Sequence, residues 1–351
     1  MIKNLGIGEW LQQDGSVILD VRSPSEYERG HIPGALSLPL LDDEERAEVG
    51  TTYKQTGKEE AYSQALNIAG PKIKDLVDRA RQLAPAASIN IHCWRGGMRS
   101  GSLAWLLHAS GFKEINVLQR GYKGYRQWVL SRLDLTCPMV VLGGWTGSAK
   151  TEVLKHLVPL NEPVIDLEKL AHHKGSAFGW IGEAPQPTQE QFENDLAGEL
   201  NQHLERSAIW VEDESEHIGK VRIPRPLFLQ IRKAPVFFID IPKSVRVPHL
   251  VHTYARYGDE KLEQSILKIA KRLGGLNTKL ALEALQRQDY ELVADLALTY
   301  YDKTYDKGIG NRDPASIIRI PSETIDPAHN AGLVLEYKLN HIHGISQTYA
   351  V

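Results

Sequence analysis

Short apolar runs alternate with longer amphipathic stretches along most of the chain. Residues 16–21 read as a short buried strand, and 35–38 read as another just after the Pro33-Gly34 turn. The first residues read as a helical start, 42–48 are charged and helix-prone, and 73–80 repeat their apolar positions at helical spacing. A strand at 88–91, a helix at 101–107 and a strand at 114–118 complete a first segment that extends to about residue 132. Beyond it, apolar runs at 138–142, 164–166, 208–211, 236–241 and 316–320 predict strands. Residues 251–303 predict a proline-free helical lobe. Strand and helix alternate throughout, an order that predicts parallel sheets covered by helices. The junction falls near 133–136 and divides the chain into 1–134 and 135–351.

At 351 residues the chain is long enough for two cores. A net charge of −3 supplies no global pull toward nucleic acid or a membrane, so a nucleic-acid partner needs a local basic patch. Two clusters qualify: Lys220, Arg222, Arg225, Arg232 and Lys233, and then Lys268, Lys271, Arg272 and Lys279. Each reads equally as an RNA track, with nearby Tyr and Trp stacking bases, or as a solvated face. The N-terminal residues lack a signal-peptide core and no run reaches membrane-span length, so no membrane partner is expected. Cys93 and Cys137 make no disulfide framework, which points to a reducing, cytoplasmic setting. Cys137 reads as inert core.

The densest chemistry lies at Cys93-Trp94-Arg95-Gly96-Gly97-Met98-Arg99-Ser100, between a strand and a helix. Loop amides and the following helix N-terminus gather donors around the sulfur, and Arg99 adds a fixed charge. Together they favour a thiolate beside a bound oxyanion. By spacing Arg99 is the better anion ligand; Arg95 binds the anion or faces outward. Trp94 reads as a stacking platform or as packing. The plain alternative is a buried structural cysteine. Upstream, residues 19–27 followed by 30–35 resemble the rhodanese signature, with Asp20 and Arg22 fixing the loop and His31 packing. Five residues separate Cys93 from Arg99, one more than in ordinary rhodanese-like domains and the spacing of cysteine phosphatases. The resemblance therefore implies a phosphate-sized oxyanion at Cys93.

Gly144-Trp145-Thr146-Gly147-Ser148-Ala149-Lys150-Thr151 resembles a Walker A loop, with Ala149 where glycine is usual. Its amides would wrap phosphate, Lys150 would neutralise it, and Thr151 would face a Mg²⁺ ion. Pyrophosphate binding is expected; nucleotide turnover stays open, because the Ala149 methyl crowds the phosphate path unless its backbone is helical. Residues 211–215 end a buried strand in acids, as a metal-holding strand would, and Asp213 or Glu212 reads as a metal or water ligand. His172 and His173 lack helical metal-ligand spacing, and residues 172–179 read as a lid over the phosphate site. No metal ligand is certain.

The order of the two loops, residues 45–57, and Asp166-Leu167-Glu168 with His173-Lys174-Gly175-Ser176 resemble the tRNA 2-selenouridine synthase family. The resemblance spans nearly the whole chain. It implies an α/β fold: a rhodanese-like parallel-sheet domain, then a P-loop NTPase-like domain with a helical C-terminal lobe. It implies a tRNA-modifying transferase that replaces sulfur by selenium in wobble-position 2-thiouridine, by way of a geranylated intermediate. Its substrates would be selenophosphate at the Cys93 loop and geranyl diphosphate at the P-loop. Trp145, Phe178 or Trp180 would wall the prenyl chain. Cys93 would carry selenium or only position its donor. The tRNA anticodon region is the implied partner, with room for a selenophosphate-supplying enzyme; no tightly bound cofactor is expected, and Mg²⁺ and oligomeric state stay open. The rivals are a cysteine phosphatase or sulfurtransferase fused to a nucleotide-binding domain, and a sensing module without catalysis.

Overall fold

The computed structural model describes residues 1–13, 15–85, 88–204 and 208–345. The chain forms two compact units, one of residues 1–132 with 193–198, the other of 133–192 with 199–351.

In the first unit the strands are β1 (Ile2–Leu5), β2 (Val17–Asp20), β3 (Leu36–Ser37), β4 (Ser88–His92) and β5 (Glu114–Leu118). They form one parallel sheet in the order β1-β5-β4-β2-β3. The chain start departs from the helical expectation: residues 2–5 pair with β5, Ile2 against Ile115 through Leu5 against Leu118, and the helix is only Ile7–Leu11. Four residues are too few to show a period of their own, and an open sheet edge decides their conformation. Leu19, Ile89 and Ile91 pack with Leu103 and Leu107 of helix Met98–Ala109 and with Leu76 of helix Ile73–Leu83. Such runs read as continuous apolar stretches because a parallel sheet is covered on both faces.

The second unit contributes β6 (Met139–Gly144), β7 (Ile209–Glu212), the short antiparallel pair β8 (His217–Ile218) and β9 (Val221–Arg222), β10 (Val236–Asp240) and β11 (Ile317–Pro321). The main sheet is parallel, in the order β11-β10-β6-β7. The strand expected at 164–166 shrinks to one parallel bridge, Val164 to Trp210. Asp166 has already turned away to cap helix Leu167–Ala171, accepting from the Lys169 amide at 2.7 Å. Helices Lys243–Tyr254, Asp259–Leu273, Gly275–Gln286 and Tyr290–Ile309 build the helical lobe. Its core includes Ile266, Ile269, Ala281, Leu285 and Ala297. Among the described residues no helix is long and apolar enough to cross a membrane. In both units the sequence-marked loop leaves the C-terminal end of a central parallel strand, where α/β sheets place their ligands.

Candidate active sites

Cys93 follows β4 directly and is 3% exposed. The Ser100 hydroxyl donates to its Sγ at 3.2 Å. Burial pushes the thiol up, but the Ser100 hydroxyl and amide, the Arg99 charge and the Arg95 amide outweigh it and hold the thiol below its ordinary value. Two glycines make the loop possible. At Gly96 (φ +63) a Cβ would lie 2.4 Å from the Leu118 carbonyl, and at Gly121 (φ +53) one would lie 2.2 Å from the Cys93 carbonyl. The turn after β5 is thus pressed against the cysteine loop, and the Tyr122 and Lys123 amides donate to the carbonyls of Cys93 and Trp94.

Arg99 does not stand alone. Its guanidinium donates to Glu26 at 2.7 and 3.4 Å, and Arg46 lies 3.8 Å from the same carboxylate. Glu26 also accepts from the Ser23 amide, closing a capping box on helix Pro24–Arg29. Arg95, Trp94, Gly97 and Met98 are exposed and Gly96 is half-buried, so Arg95 serves the sulfur through its amide while its side chain faces solvent. Asp20 and Arg22 are buried and paired, and Arg22 also donates to the Gly30 carbonyl and lies 3.7 Å over the Tyr122 ring. His31 stacks on Tyr27 at 4.0 Å. Cys137 is pushed up to about 11 by burial, which leaves it an unreactive thiol.

In the second unit β6 runs into residues 145–149 and then helix Lys150–Leu157. Lys150 donates to the Gly144 carbonyl at 3.0 Å. Ser148 is buried and donates to the Trp145 carbonyl at 2.7 Å. Ala149 adopts φ 54, ψ 34, left-handed backbone where glycine is at ease and alanine is not. Trp145 departs from its expected role as a prenyl wall. Its indole donates to Asp240 at 2.7 Å and stands edge-on to Phe238 at 5.2 Å, inside the fold. Trp180 likewise donates to Ser265 and does not line the cavity; Phe178 does.

The acids are sorted differently from the sequence reading. Glu212 is fully buried and accepts from the Leu167 amide at 2.9 Å; burial and its acidic neighbours push it well above the ordinary carboxylate range. Asp213 is held by Arg312 at 2.5 Å and by the Tyr305 hydroxyl at 2.8 Å. Asp213 still lines the cavity over the loop, with its carboxylate committed to Arg312 and Tyr305. Two further acids stand there: Glu168, which accepts from the Thr151 hydroxyl at 2.6 Å, and Glu214 bonded to Glu168. Burial, then the Glu168 charge, push Glu214 well up, so the pair favours a shared proton. The acidic segment after β7 supplies Asp213 and Glu214 to the cavity, while Glu168 comes from helix Leu167–Ala171, which the strand-end pattern does not reach. A Mg²⁺ ion beside a bound diphosphate would meet Thr151 and Glu168, although among the described residues no group of three or more His, Cys, Asp or Glu could hold a metal. Arg246 escaped the sequence reading altogether: buried, it props the loop through the Thr146 carbonyl at 3.0 Å and pairs with Asp302 at 2.9 Å.

A cavity of about 800 Å³ opens over the phosphate loop. One wall is Gly147 to Thr151 with Glu168 and Glu214; residues 174–178 form another. From there it extends into the helical lobe past Phe178, Leu262, Ile269, Val293 and Ala297. The cavity is thus polar at the loop and mainly apolar where Phe178, Leu262, Ile269, Val293 and Ala297 line it, with Arg272 and Tyr300 also in its wall.

A cysteine loop on one parallel sheet and a phosphate loop on another define a two-unit rhodanese/P-loop enzyme. Residues 7–127 match the rhodanese-like domain, and 137–327 match the tRNA 2-selenouridine synthase AAA domain. The chain is 35% identical over 320 residues to the tRNA 2-selenouridine synthase of Bdellovibrio bacteriovorus, covering 80% of this chain and 82% of that one. It is 32% identical to those of Aeromonas salmonicida (87% and 91% of the two chains) and Sulfurovum sp. (88% and 93%). The chain belongs to the tRNA 2-selenouridine synthase family.

Proposed function

We propose that this enzyme replaces sulfur by selenium in wobble-position 2-thiouridine of tRNA in two stages, prenylation and then selenation. The observation that carries the reading is the cavity whose phosphate-loop end is polar and whose far end is mainly apolar. Geranyl diphosphate has that polarity: its diphosphate suits the loop amides and Lys150, its chain the surfaces of Phe178, Leu262 and Ile269. The thiouridine sulfur attacks the first carbon of the geranyl chain, the carbon–oxygen bond breaks, pyrophosphate departs and the N3 proton is released. Alkylation turns sulfur into a better leaving group. Selenium of selenophosphate then adds at C2, geranyl thiol leaves, and water cleaves the selenium–phosphorus bond to give phosphate and the selenouridine.

Selenophosphate suits the Cys93 loop, with amides and Arg99 balancing its charge and the Cys93 thiolate beside its selenium. The test is mass spectrometry of nucleosides from 2-thiouridine tRNA incubated with geranyl diphosphate and then selenophosphate. The expected result is a geranylated nucleoside, then selenouridine. Lys150→Ala is expected to lose prenylation at least tenfold. Phosphate release from an aryl phosphate without any base change would replace this reading with a phosphatase.

A further inference from the structure

The two basic clusters, indistinguishable in the sequence, are unlike in the structure. In the first, Arg222 and Arg225 both pair with Glu216, at 2.7 and 3.2 Å, and Arg232 lies 3.6 Å from Asp213. The charge of these three arginines is spent on acids, and in the second cluster Lys279 pairs with Glu283 at 3.8 Å. On and beside helix Asp259–Leu273 four cations stand on aromatic groups instead. Lys268 Nζ is 4.6 Å over the Trp180 ring, Lys261 is 5.9 Å and Arg256 4.9 Å from the Tyr257 ring, and Arg272 donates to Tyr300. Among the described residues none of these four cations has an acid within ion-pairing distance, and all four are exposed.

Lys261, Lys268 and Arg272 are spaced i, i+7, i+11, which puts them in one row along the helix, about 16 Å long at 1.5 Å per residue. The helix's own acids, Asp259, Glu260 and Glu263, fall off that row by the same periodicity. Arg272 and Tyr300 also line the cavity, so the row ends at its wall. We propose that this row, Lys261, Lys268 and Arg272 with Tyr257, Trp180 and Tyr300, is a track for the sugar–phosphate backbone of single-stranded RNA. Unpaired cations meet phosphates, and half-buried rings beside them offer stacking faces to unstacked bases. The proposal rests on the functional reading above in naming RNA as the partner, and it adds the surface that receives it.

The test is a salt titration of affinity for a synthetic anticodon stem–loop carrying 2-thiouridine, by fluorescence anisotropy, with the full chain. Lys268→Ala/Arg272→Ala is expected to bind at least tenfold more weakly near 0.15 M salt, and to flatten the dependence of log K on log salt by about 1.4, two single-strand contacts. Arg222→Ala/Arg225→Ala is expected to match the parent. Both variants change exposed side chains, and an unchanged thermal melt checks the fold. A parent that converts the base while the track variant binds with unchanged affinity and slope overturns the track alone. Equal losses in the two double variants overturn it as well. A parent that converts no base overturns the functional reading instead.

Discussion

At the scale of single residues, the thiol is governed by a contest between burial and donors. Cys93 is nearly sealed, which by itself favours the neutral thiol; the Ser100 hydroxyl at 3.2 Å, the loop amides and Arg99 reverse that preference. A lowered thiol pKa means that the thiolate persists as pH falls below the free-cysteine midpoint of roughly 8.5. Ser100→Ala removes one donor and is expected to move the midpoint of Cys93 alkylation upward, so that the rate near neutral pH drops severalfold. The pH profile of iodoacetamide labelling, read by mass spectrometry, measures this; an unmoved midpoint refutes the role of the hydroxyl. Cys93, Arg99 and the glycines were legible because their spacing is itself the chemistry. Glu26 was not legible as the partner of Arg99. It sits 73 residues away in sequence, and only the packing of helix Pro24–Arg29 brings it there.

At the scale of elements, the phosphate loop carries a local conflict. Ala149 holds a left-handed conformation that costs an alanine about 1 kcal/mol relative to glycine. Ala149→Gly relieves that strain, in part offset by the greater freedom glycine gives the unfolded chain. The variant is expected to gain up to about 1 kcal/mol in stability by denaturant unfolding of the second unit and to bind pyrophosphate more tightly by calorimetry. A loss of stability would mean that the methyl, 7% exposed, is held by packing worth more than the strain. Long elements were readable from pattern alone: the helices of 251–303 and both loop-bearing strands are where periodicity put them, although the lobe starts earlier, at Lys243, in a helix that accommodates Pro248. Two short ones were not. Residues 2–5 and 164–166 were settled by an edge to pair with and a cap to make, neither of which is written in four consecutive side chains.

At the scale of the whole molecule, two separate sheets carry two separate loops, so the proposed stages should be separable. Cys93→Ser removes the thiol and leaves every residue of the phosphate-loop cavity in place. It is expected to abolish selenouridine formation while geranylated tRNA accumulates, as followed by nucleoside mass spectrometry. Normal selenation by that variant would remove the thiol from the reaction. The two-part architecture was legible in the order of motifs, but its division is not a simple cut. Residues 193–198 belong to the first unit. Asn194 donates to the Tyr122 hydroxyl at 2.8 Å and to the His31 carbonyl at 2.9 Å, and its carbonyl oxygen accepts from Arg126 at 2.6 Å.

That borrowed segment sets a timetable for synthesis. About sixty residues separate the end of the first stretch from the piece that completes it, which at ribosomal speeds of 5–20 residues per second is a wait of roughly 3–12 s. During that interval the nascent cysteine sheet has emerged while Tyr122, His31 and Arg126 still lack Asn194. The reactive half of the enzyme is therefore finished only after the phosphate loop has been translated.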